Sequence, residues 1–318
     1  MSGMVVTLTP NPSLDLTYEV GGLVRGEVQR STGAGVEAGG KGINVSRNLS
    51  VNGGSSRAVV PAGGFSGERL VSLLGEAGVE LVRVPVAEAV RVNVSLVEPD
   101  GVVTKVNAPG PALSGEETER LLEEAVAAAR GADWLVACGS LPPGVSEDFY
   151  ARLVEVARGA GCRVAVDTSG PPLRAALGAA PDLVKPNQNE LAEAVGREMR
   201  SLGDAVAAAK ELRARGVGSV LVSLGADGAI LVDGSGALHA ESRPFTPRSS
   251  VGAGDALLAG FLAGGCEGGA ALVEAVAWGA AATRQPGSRG PAPGDVDRGT
   301  VSLHDELELD RELKGETR

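Results

Sequence analysis

Asp255 lies in the segment SVGAGDALLAG at 250–260, where Gly252 and Gly254 free the backbone at the head of an apolar run. A helix started there turns the amides of Ala253, Gly254 and Asp255 outward, which makes an anion site with a carboxylate beside it. A glycine turn with Asp255 as an ordinary N-cap fits the same letters. Lys41 follows a glycine run in AGGKGIN at 38–44, and it is one of only five lysines, with Lys105, Lys185, Lys210 and Lys314. Gly35 to Lys41 satisfies GxxxxGK, but Gly42 stands where a Ser or Thr would ligate magnesium, which argues against a P-loop. Gly33, Gly35 and Ala38 form a loose dinucleotide pattern that does not follow the first strand, and 51–67 holds no acid to bind a ribose, which argues against a nicotinamide oxidoreductase. What remains is a glycine turn that delivers Lys41 and Asn44 to a helix start, suited to a polar or anionic small molecule.

KPNQNE at 185–190 places Asn187 and Glu190 at NxxE spacing. That is the capping-box pattern, and it would equally let Glu190 organise magnesium through water, since hard cations prefer oxygen. SLGADGA at 223–229 ends an apolar run and turns through Gly225 and Gly228, so Ser223 and the backbone of Ala226 and Asp227 face either a nucleotide or nothing but a hairpin turn. The two histidines, His239 and His304, stand beside no other candidate, which disfavours histidine-based acid–base chemistry.

These groups need a frame. VVTLT at 5–9 reads as a buried strand and 43–51 as a helix. From Asp133 the rhythm is regular: strands at 134–138, 163–167, 182–186 and 219–223, with helical stretches to about 160 and over 189–214. Strands alternating with helices imply a mostly parallel sheet covered on both faces. A hairpin turning at 233–236 follows, then two closing helices at 256–264 and 269–282. Four strand-like pieces, at 16–20, 28–30, 91–98 and 102–107, break the rhythm and suggest a separate small sheet, a lid, with PDG at 99–101 as a hairpin turn. Residues 295–318, with four basic and eight acidic side chains, read as a solvated acidic tail behind a domain of 1–294.

The net charge of −11 over 318 residues leaves no basic footprint for nucleic acid or an anionic membrane. An anionic ligand must then be held by a few placed cations or by backbone amides. Cys138, Cys162 and Cys266 form no CxxC pair, which argues against a disulfide framework or a cysteine zinc site and suggests a reducing compartment. The first residues, MSGMVVTLTP, have no signal-peptide character, so a cytoplasmic location is expected.

Taken in order, TLTPNPSLD (7–15), AGGKGINVSR (38–47), RVN (91–93), NAPGP (107–111), GSLPPG (139–144), VDTSG (166–170), KPNQNE (185–190), SLGADG (223–228) and VGAGD (251–255) resemble the ribokinase-like (PfkB) carbohydrate kinases over roughly 4–290. TPNPSLD, GSLPPG and VDTSG look like the branch that phosphorylates hexose phosphates, 1-phosphofructokinase first and tagatose-6-phosphate kinase beside it. Val90, Glu37 and Ala38 depart from the usual pattern around the sugar site. The resemblance implies a three-layer αβα fold with a β lid, ATP and Mg2+ as cofactors, and a homodimer paired through the lids. It implies that Asp15, Asn44, Gly39 and Gly40 contact the sugar, and that Lys41 and Arg91, helped by Ser140 and Lys105, hold the phosphate the sugar already carries. It implies a nucleotide lying across Lys185, Asn187 and 223–228, with part of 275–290 flanking adenine. Asp255 would take the hydroxyl proton, the amides of 252–255 would stabilise the γ-phosphoryl, and Glu190 would meet magnesium through water. The expected reaction is fructose 1-phosphate to fructose 1,6-bisphosphate, with fructose 6-phosphate or tagatose 6-phosphate as alternative acceptors. A sugar-phosphate sensor without turnover is a weaker alternative, because it would have no use for Asp255.

Overall fold

The computed structural model describes residues 3–285, 287 and 289–315. Short runs of β-branched and aliphatic residues bounded by glycine and proline form the strands of a ten-stranded sheet. In chain order these are β1 (Val5–Leu8), then β2 (Ser13–Val20) and β3 (Ser31–Gly39), which leave the main sheet, helix α1 (Lys41–Val51), β4 (Ser56–Ala62), α2 (Gly64–Glu76) and β5 (Glu80–Pro85). β6 (Arg91–Val97) and β7 (Val103–Val106) leave it again, followed by α3 (Gly115–Ala128), β8 (Trp134–Cys138), α4 (Phe149–Gly159), β9 (Arg163–Asp167), α5 (Gly170–Gly178) and β10 (Leu183–Val184). The remainder is α6 (Gln188–Val195), α7 (Leu202–Ala214), β11 (Ser219–Ser223), β12 (Ala229–Asp233), β13 (Gly236–Ser242), α8 (Ala253–Ala263), α9 (Gly268–Thr283) and β14 (Val301–His304).

The sheet runs β14-β13-β12-β11-β10-β9-β8-β1-β4-β5, parallel from β11 to β5 and antiparallel at the β12 to β14 end. Strand alternation splits its side chains cleanly. Val6, Leu8, Leu135, Ala137, Val164 and Val166 pack with the helices α3 to α7, whereas Val5, Trp134, Val136, Cys138 and Ala165 pack with α1, α8 and α9. The expected three-layer arrangement is therefore present, with a core on each face.

The lid is a second sheet in the order β3-β2-β6-β7. The inner strands β2 and β6 start at the body and the edge strand β3 ends there, with Ser13 opposite both Gly39 and Arg91. One face carries Leu14, Leu16, Tyr18, Val92, Val94 and Leu96, and the other Asp15, Thr17, Asn93 and Ser95, the period of two expected of a half-covered sheet. Leu14 and Ala38 join a small core with Ile43, Leu70 and Leu74, which fastens the lid root to α1 and α2.

Three expectations change. The lid strand foreseen at 28–30 runs instead over 31–39, the glycine-rich stretch that looked like a turn; pairing along the whole of β2 offsets glycine's poor strand propensity. β4, α2, β5 and α3 went unread in the sequence. The tail is no frayed appendage: 301–304 forms the edge strand β14, with His304 opposite His239 and Leu303 opposite Ala240, so 295–315 completes the domain. Its acidic count hid a short alternation, VSLH, that suits an edge strand.

Candidate active site

The carboxyl ends of β1, β8, β9, β10 and β11 open towards the first turns of α1 and α8, where open parallel sheets place their ligands. α8 starts at Ala253, with Gly252 as N-cap in the left-handed region at φ 78° and no side-chain cap. The ordinary-cap interpretation of Asp255 fails on this point. Asp255 sits within the first turn, 6% exposed, and accepts a hydrogen bond from Asn44 Nδ2 at 2.8 Å. Burial, then the charge of Asp167, pushes its carboxyl up to about 6, against the pull of Lys41, the Asn44 bond and Lys185. The first-turn amides of Gly254 and Asp255 have no acceptor inside the helix. A Cβ built on Gly254 would lie 3.2 Å from Lys185 Nζ, so this turn carries an ammonium directly against its backbone.

Asp167, at the end of β9, is fully buried between two lysines, 2.8 Å from Lys41 Nζ and 3.2 Å from Lys185 Nζ. Burial raises its pKa, but Lys185 and Lys41 outweigh that and hold it below the ordinary carboxylate range. Lys41, the first residue of α1, also lies 3.7 Å from Glu190 Oε1. Burial opposes its charge, yet Asp167, Glu190 and Asp255 keep the ammonium protonated far above the usual lysine range. Asn187 and Glu190 do form a complete capping box: Glu190 N donates to Asn187 Oδ1 at 2.8 Å and Asn187 N to Glu190 Oε2 at 2.9 Å. The box occupies only one carboxylate oxygen and leaves Oε1 turned to Lys41. Capping the helix thus leaves one oxygen of this side chain for the site.

The opposite wall is the lid root. Asp15 Oδ1 accepts from Ser13 Oγ at 2.7 Å and Asn93 Nδ2 at 3.0 Å, and Asn93 Oδ1 accepts from Ala108 N at 3.1 Å. Gly39 faces this carboxylate so closely that a Cβ there would meet Asp15 and would lie 2.6 Å from Ser13 Oγ. Arg91 donates to the carbonyls of Ala108 and Asn11, both at 2.9 Å, and forms no ion pair among the described residues. Its burial lowers its pKa, with Asp15 pulling the other way, and a cation held by neutral carbonyls is available to an anionic ligand. Asn11 Nδ2 donates to Pro109 O at 3.0 Å and Ser140 Oγ at 3.3 Å, leaving its buried Oδ1 without a partner among the described residues. Ser140, Pro109 and Thr168 line a recess of about 420 Å³.

The third wall is the turn after β11. Ser223 bridges to Asn187, and its N donates to Pro186 O at 3.1 Å, so Lys185, Asn187 and 223–228 form one continuous surface. Gly225 and Gly228 take φ 58° and 81°, and a Cβ at Gly228 would sit 2.7 Å from Glu241 Cα.

The structure thus brings together Asp15, Gly39, Gly40, Lys41, Asn44, Arg91, Ser140, Lys185, Asn187, Glu190, Ser223 and the 252–255 turn. It leaves three expected residues differently placed. Lys41 stands among Asp167 and Glu190 and not beside Arg91, so the two cations occupy separate walls. Lys105 is exposed on the lid's edge strand, with no partner among the described residues. Asp227 is 1% exposed and bonded to Arg311 and Lys314 N, so its carboxylate is not open to a ligand. Of the 275–290 stretch, Pro286 and Ser288 lie outside the described residues; most of the rest is α9. Two residues inside recognised motifs carried unread roles. Asp167 pairs the lysines, and Arg47 donates to Asn44 Oδ1 at 2.8 Å, which turns the amide's NH2 towards Asp255.

Among the described residues no three His, Cys, Asp or Glu side chains gather to hold a metal. A nucleotide-borne magnesium fits that donor set, because Mg2+ takes most of its ligands from phosphates and water and needs one carboxylate nearby. Glu190 Oε1 is such a carboxylate.

Residues 9–293 match the pfkB family of carbohydrate kinases. The chain is 38% identical over 300 residues to ATP-dependent 6-phosphofructokinase isozyme 2 of Mycobacterium tuberculosis, covering 92% of this chain and 88% of that protein. It is 40% identical over 276 residues to 1-phosphofructokinase of Rhodobacter capsulatus, with 82% and 84% covered. The crystal structure of Escherichia coli phosphofructokinase-2 in complex with potassium superposes with a TM-score of 0.88 at 37% identity, covering 92% of this chain and 97% of that one.

Proposed function

Because the chain belongs to the pfkB family of carbohydrate kinases, we propose that it transfers the γ-phosphoryl of ATP to a ketohexose phosphate, with fructose 1-phosphate the preferred acceptor and fructose 1,6-bisphosphate the product. The observation that carries this reading is Asp255: a buried carboxylate on an amide-rich helix start, with its pKa pushed to about 6 and tied to Asn44, facing the lid root that holds Asp15 and Arg91.

Phosphoryl transfer asks for positioning and charge stabilisation more than for covalent chemistry. Asp15, oriented by Ser13 and Asn93, and Asn44, oriented by Arg47, bind sugar hydroxyls. Arg91 holds the phosphate the sugar carries, helped by Ser140. In a fructose 1- or 6-phosphate the phosphate and the reacting hydroxyl lie at opposite ends of the sugar, which suits a phosphate cation on the lid root and a base on α8. Lys41 and Lys185, both paired with Asp167, flank the transferring phosphoryl, and the amides of 252–255 stabilise it. Asp255 takes the hydroxyl proton. The nucleotide lies against Lys185, Asn187, Ser223 and the backbone of 225–228. Magnesium, when bound with the nucleotide, would neutralise phosphate charge, with Glu190 facing its water shell.

Two further points belong to this reading. The outer lid face presents Leu16 beside Val36 and Val94, with Val106 next to Val94; Val36 is 41% and Val106 62% exposed. A second copy covering that face would make a homodimer, and light scattering of the purified protein tests it. No helix of the described residues is long and apolar enough to cross a membrane. The proposed substrates are metabolites of the cell interior, which supports a cytoplasmic location.

The deciding experiment is a coupled ADP assay across fructose 1-phosphate, fructose 6-phosphate, tagatose 6-phosphate, fructose and ribose. Highest kcat/KM on fructose 1-phosphate is expected; faster turnover of ribose or free fructose overturns the assignment, and a preference for either 6-phosphate moves it to the alternative acceptors.

A further inference from the structure

The turn at 223–228 is held from behind by a segment that lies beyond the matched residues 9–293. Asp227 offers its carboxylate to Arg311 Nη2 through Oδ1 at 3.0 Å and to Lys314 N through Oδ2 at 2.7 Å. Arg311 also donates to both oxygens of Glu241 on β13, at 3.0 and 2.7 Å, directly behind Gly228. The backbone of the same segment is fixed: Leu202 N donates to Arg311 O at 2.9 Å, Gly203 N to Leu309 O at 2.8 Å and Leu313 N to Arg200 O at 2.9 Å. The Asp227 carbonyl accepts from the buried His239 Nε2 at 2.8 Å.

We propose that Arg311 is a positioning residue for the nucleotide: it acts through Asp227 and Glu241 to set the conformation of the turn on which the nucleotide lies. The inference rests on the proposed role of 223–228 and adds to it a residue that touches no ligand. A carboxylate as buried as that of Asp227 keeps its place only while its charge is paired. Without the guanidinium, Asp227 keeps only the Lys314 amide and the exposed Lys314 ammonium at 3.6 Å, Glu241 loses its two-pronged partner, and the short turn between Ser223 and Gly228 is held less firmly. The sugar wall, built from the lid root, lies on other elements and does not feel this change.

The test uses the full chain with Arg311→Ala, Arg311→Lys and Asp227→Ala, reading KM for ATP, KM for the sugar phosphate, kcat, and the Kd of MgADP by calorimetry. Arg311→Ala is expected to raise KM for ATP and the Kd of MgADP by roughly 3- to 30-fold, the scale at which residues off the ligand modulate binding. The sugar KM should stay within about twofold, with Arg311→Lys intermediate, because lysine keeps the charge and loses the fork. Asp227→Ala combined with Arg311→Ala should be no worse than Asp227→Ala alone. Unchanged MgADP affinity in Arg311→Ala, or equal losses for both substrates that track a fall in Tm, overturns the proposal. Ser223→Trp, titrated alongside, separates the two readings. If it abolishes MgADP binding while Arg311→Ala does not change it, only the role of Arg311 falls; if it leaves MgADP binding intact, the nucleotide lies elsewhere and both fall.

Discussion

Asn44 Nδ2 meets Asp255 Oδ2 at 2.8 Å, joining two helices that are far apart in sequence at the point where the proposed mechanism puts the acceptor hydroxyl. α1 brings the amide from one side of the glycine run and α8 brings the carboxylate from the other.

Asp255→Asn keeps an acceptor for Asn44 and removes the base. Turnover should fall by about 10²- to 10⁴-fold, the usual worth of a positioned base, with MgADP affinity kept. A carboxyl whose folded pKa is raised from 3.8 to about 6 stabilises the fold only at low pH, and that contribution is lost as pH rises through 6. The variant should therefore melt no lower than the parent at pH 8, and up to roughly 6 °C higher, with the gap closing near pH 4. Near-normal kcat would remove Asp255 from the chemistry.

The same carboxyl sets the acid limb of the rate profile. kcat/KM should rise with pH through an inflection at about 6, as the base loses its proton in the free enzyme. Asn44→Ala deletes a bond that favours the charged carboxylate, so the inflection should move to higher pH. A limb that stays in place uncouples the pair.

Arg91→Ala removes a charge-assisted contact worth about 1.5 to 3 kcal/mol, or roughly 10- to 150-fold in kcat/KM towards phosphorylated sugars. Free sugars, which carry no phosphate to lose, should show little change. Equal losses on both would assign Arg91 to holding Asn11 and Ala108 in place.

Glu190→Gln can still close the capping box with Asn187, so Tm should barely move. Its lost charge should raise the magnesium concentration needed for half-maximal rate and lower kcat. Unchanged metal dependence would leave Glu190 a cap alone.

Gly39→Ala puts a methyl against the Asp15 carboxylate and Ser13. Asp15 must swing off its bonds to Ser13 and Asn93, so KM for the sugar should rise by about tenfold, the cost of one or two hydrogen bonds to a charged group. KM for ATP is the internal control.

The βα rhythm from β8 onwards was legible because each strand is a short aliphatic run with a glycine or charged boundary, and the nucleotide and transfer motifs fell at its strand ends. β3 was not legible: a strand with three glycines signals a turn locally and is held only by its neighbour β2, a non-local cause. Asp167 and Arg47 sat inside recognised motifs, yet their partners are distant in sequence: Asp167 binds Lys41 across 126 positions, and no local pattern encodes such a pairing. The pairing of the Asp227 carboxylate was hidden for the same reason, since its partner Arg311 lies 84 residues on.

The position of Asp15 and Asn93 at the lid root fixes a lever. Asp15 and Asn93 lie two residues from the body end of their strands, while the tips of β2 and β6 lie six or seven residues out. At about 3.3 Å per residue, a swing of roughly 20° about the root would carry the tip some 8 Å and Asp15 only about 2 Å. A probe at the tip would report opening over large distances while the proposed sugar pocket stays nearly assembled, so a swing of this kind would gate entry without dismantling what it guards.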